Sequence, residues 1–476
     1  MEQNLSTEGA GRILARMNRI SVWSLPYLFI GIIGLGFLFT FYDIFNINVS
    51  FIETCSVIVP HCTPASASQY LGLPVLLNLV GYVIGTLILS PLADRLGRRD
   101  MLLVTMVITG LGSLWTAFTH DYATFIWARL LTGVGVGADL AIVNTYINEV
   151  APKEGRARYT ALIFIMSGLG AFLGIWIGLW LTTPATPFPM GLPIAMAGPH
   201  FANGWRIMYL VGAVLALVGV LLRVRMPESP RWLISRGRLA EADQIVSNME
   251  DRVKMHGTLP EPGPDAAVVT AAKPIPYAEI FSEPTYLKRT VLLVVMWFIG
   301  YVTVYSFAAG FTSLLVSLHF PVPEAGLIAA VGTVGMILSG IIAYAWGERL
   351  ERKMWLLWSA GLTLVGGLII AEAGTLLGLS MLGAILVFVG FNLWVPISYA
   401  WSTEHYPTRA RASGFALVDG VGHLGGGVGV LLVVPWVAGL PVLGAFMVIG
   451  GFLVVSAFVA QFGIRTRGMA LDDISP

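Results

Sequence analysis

Long apolar runs alternate with short polar phrases along the whole chain. A helix rises about 1.5 Å per residue, so crossing the ~30 Å hydrocarbon core takes about 20 apolar residues. Twelve runs of that order occur, at roughly 22–48, 69–92, 101–118, 122–149, 159–182, 205–224, 289–315, 324–346, 354–371, 379–402, 412–434 and 440–464. They predict twelve membrane-spanning helices, spans 1 to 12, six on each side of a long polar stretch. The first run is longer than a signal-peptide core and no Ala-x-Ala site closes it, so it reads as a retained span.

The polar phrases between the runs are strongly biased in charge. With both termini in the cytoplasm, every one of the 28 Lys and Arg residues except Arg129 and Arg206 falls on the cytoplasmic side. Positive residues stay inside, so this asymmetry fixes the expected orientation. The expected organisation is a cytoplasmic arm (1–21), a six-helix bundle (22–224), a linker with a Pro-rich middle (225–288; Pro260, Pro262, Pro264), a second six-helix bundle (289–464) and a cytoplasmic tail (465–476).

Composition agrees. Charged residues make up 12% and hydrophobic residues 56% of the chain, where soluble domains carry about 25% charged residues. An all-α integral membrane protein in the plasma membrane follows, embedded in a lipid bilayer, and a monomer is expected. A net charge of +1 offers nothing to nucleic acid. The 54 glycines suit close helix packing in lipid. Cys55 and Cys62 flank an external loop, where a bridge and two free thiols are both open readings.

Two charged phrases recur. Glu149, Pro152, Arg156 and Ala157 return 255 residues later as Glu404, Pro407, Arg411 and Ala412. Asp94, Arg95, Arg98 and Arg99 return 254 residues later as Glu348, Arg349, Arg352 and Lys353. Repetition at equivalent loops of two six-span halves marks carriers built from related bundles, with the site between them near the midplane. Carboxylate–guanidinium contacts in such loops can hold helix ends together while the inner mouth is closed. Exposed pairs are worth only about 0–1 kcal/mol each, weak enough to open repeatedly. A purely orienting role would account for the Arg and Lys but not for Glu149 and Glu404.

ADRLGRR (93–99) resembles the loop 2–3 motif of the major facilitator superfamily, with Ser90 where that motif usually begins with Gly. PESPRWL (227–233) resembles the motif after span 6 in its sugar porter and organic-ion branch, which brings Glu228 and Arg231 into the candidate gate. The resemblance covers the whole chain. It implies the superfamily's fold, two pseudo-symmetric six-helix bundles that rock to give alternating access, with no cofactor.

Ionisable residues inside spans are costly and are functional candidates. Asp43 in span 1 and Arg129 in span 4 lie at similar depth. Paired, the carboxylate keeps its charge; separated in lipid, it takes a proton. This resembles the Tyr-Asp (here Tyr42, Asp43) and Arg of proton-driven sugar porters, and the alternative is a static helix-locking pair. Asp139 follows Arg129 by ten residues and is expected near the midplane. RLLTGVGVGADL (129–140) is similar to the span 4 segment of phosphate:proton symporters, in which an Asp so placed joins the site. The alternative is an acid that only bonds a neighbouring helix. Proton coupling is therefore assigned to Asp43, Arg129 and Asp139.

Asp419 and His423 form an i, i+4 pair in span 11. His423 occupies the region where phosphate and organic-anion carriers usually have Lys or Arg, and its charge depends on pH. Trp297, Tyr301 and Tyr305 line one side of span 7; Asn392, Trp394, Tyr399 and Trp401 sit in span 10. Such residues suit a ligand with apolar and polar parts, although aromatic stripes also serve packing. Sugar porters usually carry paired Gln in span 7 and Gln in span 5, where this chain has Tyr301, Tyr305 and Ser167; phosphate carriers have an Asp where Tyr301 stands. The expectation is therefore a proton-coupled symporter importing a small organic anion, such as an aromatic or carboxylic acid. Sugar, polyol or phosphate uptake is the alternative, and a transporter-like nutrient sensor the alternative class. Nothing in the sequence calls for a metal or for an enzyme.

Overall fold

A computed structural model describes residues 2–20, 24–25, 27–150, 156–183, 203–255, 257–263, 277–406 and 411–467. Its described regular structure is helical throughout. Eleven helices are long and apolar enough to cross a membrane, and a twelfth is the pair Phe29–Phe45 and Ile47–Ile58, bent by 42°.

Span 1 runs further than its hydropathy suggests, to Ile58 rather than 48. Its second half carries polar residues that an apolar scan rejects, and Asn48, Ser50 and Thr54 among them are satisfied internally. Ser50 donates to the Asn46 carbonyl, Thr54 to the Ser50 carbonyl, and Asn48 bonds across to span 7. Cys55 and Cys62 just beyond are joined in a disulfide.

The two bundles repeat each other helix for helix. Span 4 (Tyr122–Val150) and span 10 (Leu377–Glu404) begin 255 residues apart, the same offset as Glu149 and Glu404. Their packing repeats too. A Cβ added at Gly135 would lie 2.3 Å from Thr109 Oγ1 of span 3 (Arg98–Ala117), and one added at Gly390 would lie 2.3 Å from Thr363 Oγ1 of span 9 (Met354–Glu372). Helices cross this closely in lipid only where a small residue lets the backbones approach.

Below the first bundle, the arm helix Glu2–Asn18 docks on linker helix Leu239–Lys254. Ile13 and Met17 pack with Trp232, Leu233, Ala242 and Val246. Arg16 bonds Glu250 and Asp243, and Arg19 bonds Glu250 at 2.6 Å. The basic, amphipathic arm thus buries Ile13 and Met17 and pairs Arg16 and Arg19 within the protein.

Candidate functional site

Asp43 and Arg129 meet inside the first bundle. Arg129 Nη1 donates to Asp43 Oδ2 at 3.0 Å and Nη2 to the Asp43 carbonyl at 3.3 Å. Ser113 of span 3 donates to the other carboxylate oxygen at 2.5 Å. Both side chains are 2% exposed, and Tyr209 of span 6 lies 5.4 Å from the guanidinium carbon. Spans 1, 3, 4 and 6 therefore converge on one charge pair.

Asp139 is elsewhere. It pairs with Arg223 at the end of span 6 (Gly204–Arg223), with both side chains fully buried. Thr105 donates to it at 2.8 Å. The expectation that Asp139 joins the shared site is corrected here. Leu140, the next residue, lines the central cavity, while Asp139 turns into the bundle. Arg223 looks like a flanking cation in sequence because it follows an apolar run; in the structure it is an internal one.

A cavity lies between the bundles. The first bundle supplies Phe41, Ile44 and Phe45 from span 1, Leu140 and Phe164; the second supplies Tyr301, Tyr305, Asn392, Tyr399 and His423, with apolar neighbours. Several of the predicted residues thus share its wall. Asn392 donates to Ser339 Oγ at 2.7 Å. Trp297 and Trp394 sit one layer behind, their rings 4.9 and 5.9 Å from that of Tyr301. Trp297 is anchored by its Nε1–H to Ser402.

Asp419 also stands behind the wall. It accepts hydrogen bonds from Tyr82 of span 2 at 2.6 Å and from Tyr301 at 3.4 Å. His423 Nδ1 donates to the Asp419 carbonyl at 2.7 Å, and its ring stacks on Tyr82 with centroids 3.8 Å apart. Tyr82 belongs to the first bundle and Asp419 to the second, so this contact crosses the interface. Nearer the disulfide, Asn48 donates to the carbonyls of Phe307 and Ala308 and accepts from Thr312 Oγ1. It ties span 1 to the break between helices Pro284–Ala308 and Phe311–Ser317 of span 7.

At the basic face, the two repeated phrases close into matching triads. Arg98 pairs with Asp94 at 2.7 Å and Glu149 at 2.9 Å. Arg352 pairs with Glu348 at 2.8 Å and Glu404 at 3.4 Å. Each triad ties its helices together within one bundle. Arg95 and Arg349 are exposed, and no ion pair is described for either. The arginine three residues later does the bridging, so Arg352 takes a place the sequence reading gave to Arg349. The side chains of Arg156 and Arg411 lie outside the described residues.

Glu228 accepts backbone N–H groups of Arg98, Arg99 and Ser229. Gly97, at φ +113°, makes room: a Cβ there would lie 2.4 Å from Glu228 Oε2. Burial pushes the Glu228 carboxyl above the usual range, against the pull of those N–H groups. Arg231 Nε donates to the Glu149 carbonyl.

Residues 28–476 match the family described as sugar (and other) transporter. The chain belongs to that family. It is therefore a multi-pass membrane transporter of the major facilitator superfamily, moving a small molecule, and not an enzyme. The transporter is 26% identical over 416 residues to a niacin transporter of Acinetobacter baylyi, covering 87% of this chain and 88% of that one. It is 29% identical to a 4-hydroxybenzoate transporter of the same species, covering 73% and 72%. Its fold matches a partially occluded, inward-open structure of a xylose transporter from E. coli, with TM-score 0.70 and 20% identity over 93% of this chain and 99% of that one.

Two residues of the transporter's interior had no sequence signal as site members. Tyr82 finds its partner 337 residues away, and Asn48 lowers the hydropathy of its span.

Proposed function

We propose that the transporter imports a small organic anion, an aromatic or carboxylic acid, together with protons, across the plasma membrane with its basic face and both termini in the cytoplasm. The observation that carries this reading is the cavity between the bundles. Aromatic rings line it, its polar groups are few, and His423 is its one ionisable nitrogen among the described residues. A planar acid would stack its ring on Tyr301 or Tyr305 and offer its carboxylate to His423. A sugar would need hydroxyl partners around its whole rim, and the wall offers mainly Asn392 and tyrosine hydroxyls. The similarity to niacin and 4-hydroxybenzoate transporters supports the same class.

Proton coupling fits Asp43 and Arg129. Rocking that draws Arg129 away leaves a buried carboxylate without its cation, and protonation removes that cost. Reforming the pair in the other state expels the proton.

Uptake of labelled niacin, 4-hydroxybenzoate and xylose into proteoliposomes, with and without an inward proton gradient, tests both parts. The acids should accumulate only with the gradient, and xylose should not. Asp43→Asn should abolish uphill uptake and retain counterflow exchange. Gradient-independent uptake of every transported ligand rejects coupling, and preference for xylose rejects the substrate class.

A further inference from the structure

Among the described residues, three buried acids lie in the transporter's spans, and they are not alike. Asp43 has Arg129 and Asp139 has Arg223. Asp419, 1% exposed, makes no described contact with any Lys or Arg. The groups facing Asp419 and His423 are the hydroxyls of Tyr82 from span 2, Tyr301 and Tyr305 from span 7 and Tyr399 from span 10. A buried carboxylate with only phenols around it must take its compensating charge from a proton. The one neighbouring base is His423, whose Nδ1 lies 3.4 Å from Asp419 Oδ1.

The tautomer is fixed by the chemistry. A carbonyl only accepts, so His423 Nδ1 carries its hydrogen toward the Asp419 carbonyl. Nε2 is left as the basic nitrogen of a residue that lines the cavity.

We propose that Asp419 and His423 form a second proton-loading site, separate from Asp43 and Arg129, that takes up one proton with each substrate carboxylate. The inference rests on the anion reading above. Empty, the dyad is neutral with one proton between the two groups. A carboxylate entering the cavity brings a negative charge, and a second proton on the dyad restores neutrality, leaving Asp419 as the acid and His423 as imidazolium. The new N–H or O–H bond uses a lone pair of the dyad, the proton comes from water on the open side, and nothing is oxidised or reduced. Tyr82 reports the state of the bundles to this site. Its bond to Asp419 spans the interface, so rocking that parts the bundles there removes a donor from the carboxylate and favours its protonation.

The test is the proton count per anion, read from the zero-flux gradient in proteoliposomes with niacin and 4-hydroxybenzoate as probes. His423→Gln should move one proton fewer per anion than wild type. A histidine that merely packs would leave the count unchanged. Should His423→Gln fail to transport, Asp43→Asn decides: in weakly buffered detergent solution it should still take up a proton on binding niacin, and no uptake overturns the dyad. Wild-type anion flux with an unchanged count in His423→Gln overturns the dyad alone. Wild-type failure to carry either acid overturns the anion reading and the dyad with it.

Discussion

Spans 4 and 10 are the same helix twice, and they differ where it matters for charge. With the 255-residue offset, Glu149 falls on Glu404, but Arg129 falls on Ala384 and Asp139 on Trp394. The ends that meet solvent are matched in charge; the interiors have diverged. The first bundle keeps two acids, each neutralised by an arginine of its own, and these tie spans 1, 3, 4 and 6 around fixed charges. The second keeps aromatic rings and a dyad without a guanidinium. Span 9 shows the same replacement. Thr105, which donates to Asp139, corresponds to Ser359, whose buried hydroxyl lacks a described partner. One half thus holds its charges internally while the other presents its polar groups to the cavity.

Breaking the first bundle's internal pairing should have the largest effect on folding. Arg223→Leu leaves Asp139 buried without its cation, and losing one partner of a buried pair costs about 3–5 kcal/mol. A marked fall in thermal unfolding temperature in detergent is expected. Adding Asp139→Asn to Arg223→Leu should recover much of that loss, because the unpaired charge is removed. No recovery would show that Arg223 acts through packing alone, and the contrast between the bundles would rest on Asp43 and Arg129.

A second contrast sits at the end of spans 4 and 10, where buried Val150 corresponds to buried His405. Burial lowers His405 to about 4, with the bond to the Trp401 carbonyl opposing that shift. A histidine held below its unfolded value of about 6.5 binds more protons when unfolded. Stability therefore falls as pH drops below about 6.5 and goes on falling until about 4. The full penalty is of order 3 kcal/mol, taking about 1.4 kcal/mol per unit. Acid should thus loosen the second bundle first. His405→Gln should flatten the decline in unfolding temperature between pH 7 and 5, and an unchanged slope would move the acid sensitivity to another group.

The matched ends were legible in sequence for a physical reason. Loops that must stay outside lipid are charged, and long apolar runs can only be spans, so motif, repeat and span order all surface. Asp43 and Arg129 could be paired because depth along two antiparallel helices is countable. Arg223 could not, since a long side chain at the end of an apolar run usually snorkels to the interface. Asp419 and His423 were visible as neighbours on one helix, while Tyr82, their partner from the other bundle, was not. Contacts between bundles depend on how two packed units sit together, and no local pattern encodes that. The end of span 1 beyond residue 48 was missed because Ser50, Glu53 and Thr54 look polar to a scan, although the Ser50 and Thr54 hydroxyls bond carbonyls one turn earlier.

The smallest effects belong to the region where the bundles agree, and there the prediction is sameness. Arg98 and Arg352 are each 10% exposed at the side chain, and Glu149 and Glu404 are each 16% exposed. Equal burial implies equal worth, on the order of 1 kcal/mol for partly exposed pairs. Arg98 holds Glu149 more closely, at 2.9 Å against 3.4 Å, and Glu404 also accepts from Thr466 Oγ1 at 2.5 Å, so part of its anchoring survives if Arg352 lets go. Glu149→Gln should therefore loosen the basic face slightly more than Glu404→Gln, and the double variant should bias the carrier toward inward-open by about the sum, the sites being far apart. The measurement is the labelling rate of a cysteine engineered near the basic mouth. A rise of about fivefold per kcal/mol is expected if opening limits labelling. Unchanged rates in the double variant would reduce both triads to braces within their bundles. A rise from one substitution alone would show that the symmetry visible in the contacts does not extend to the gate.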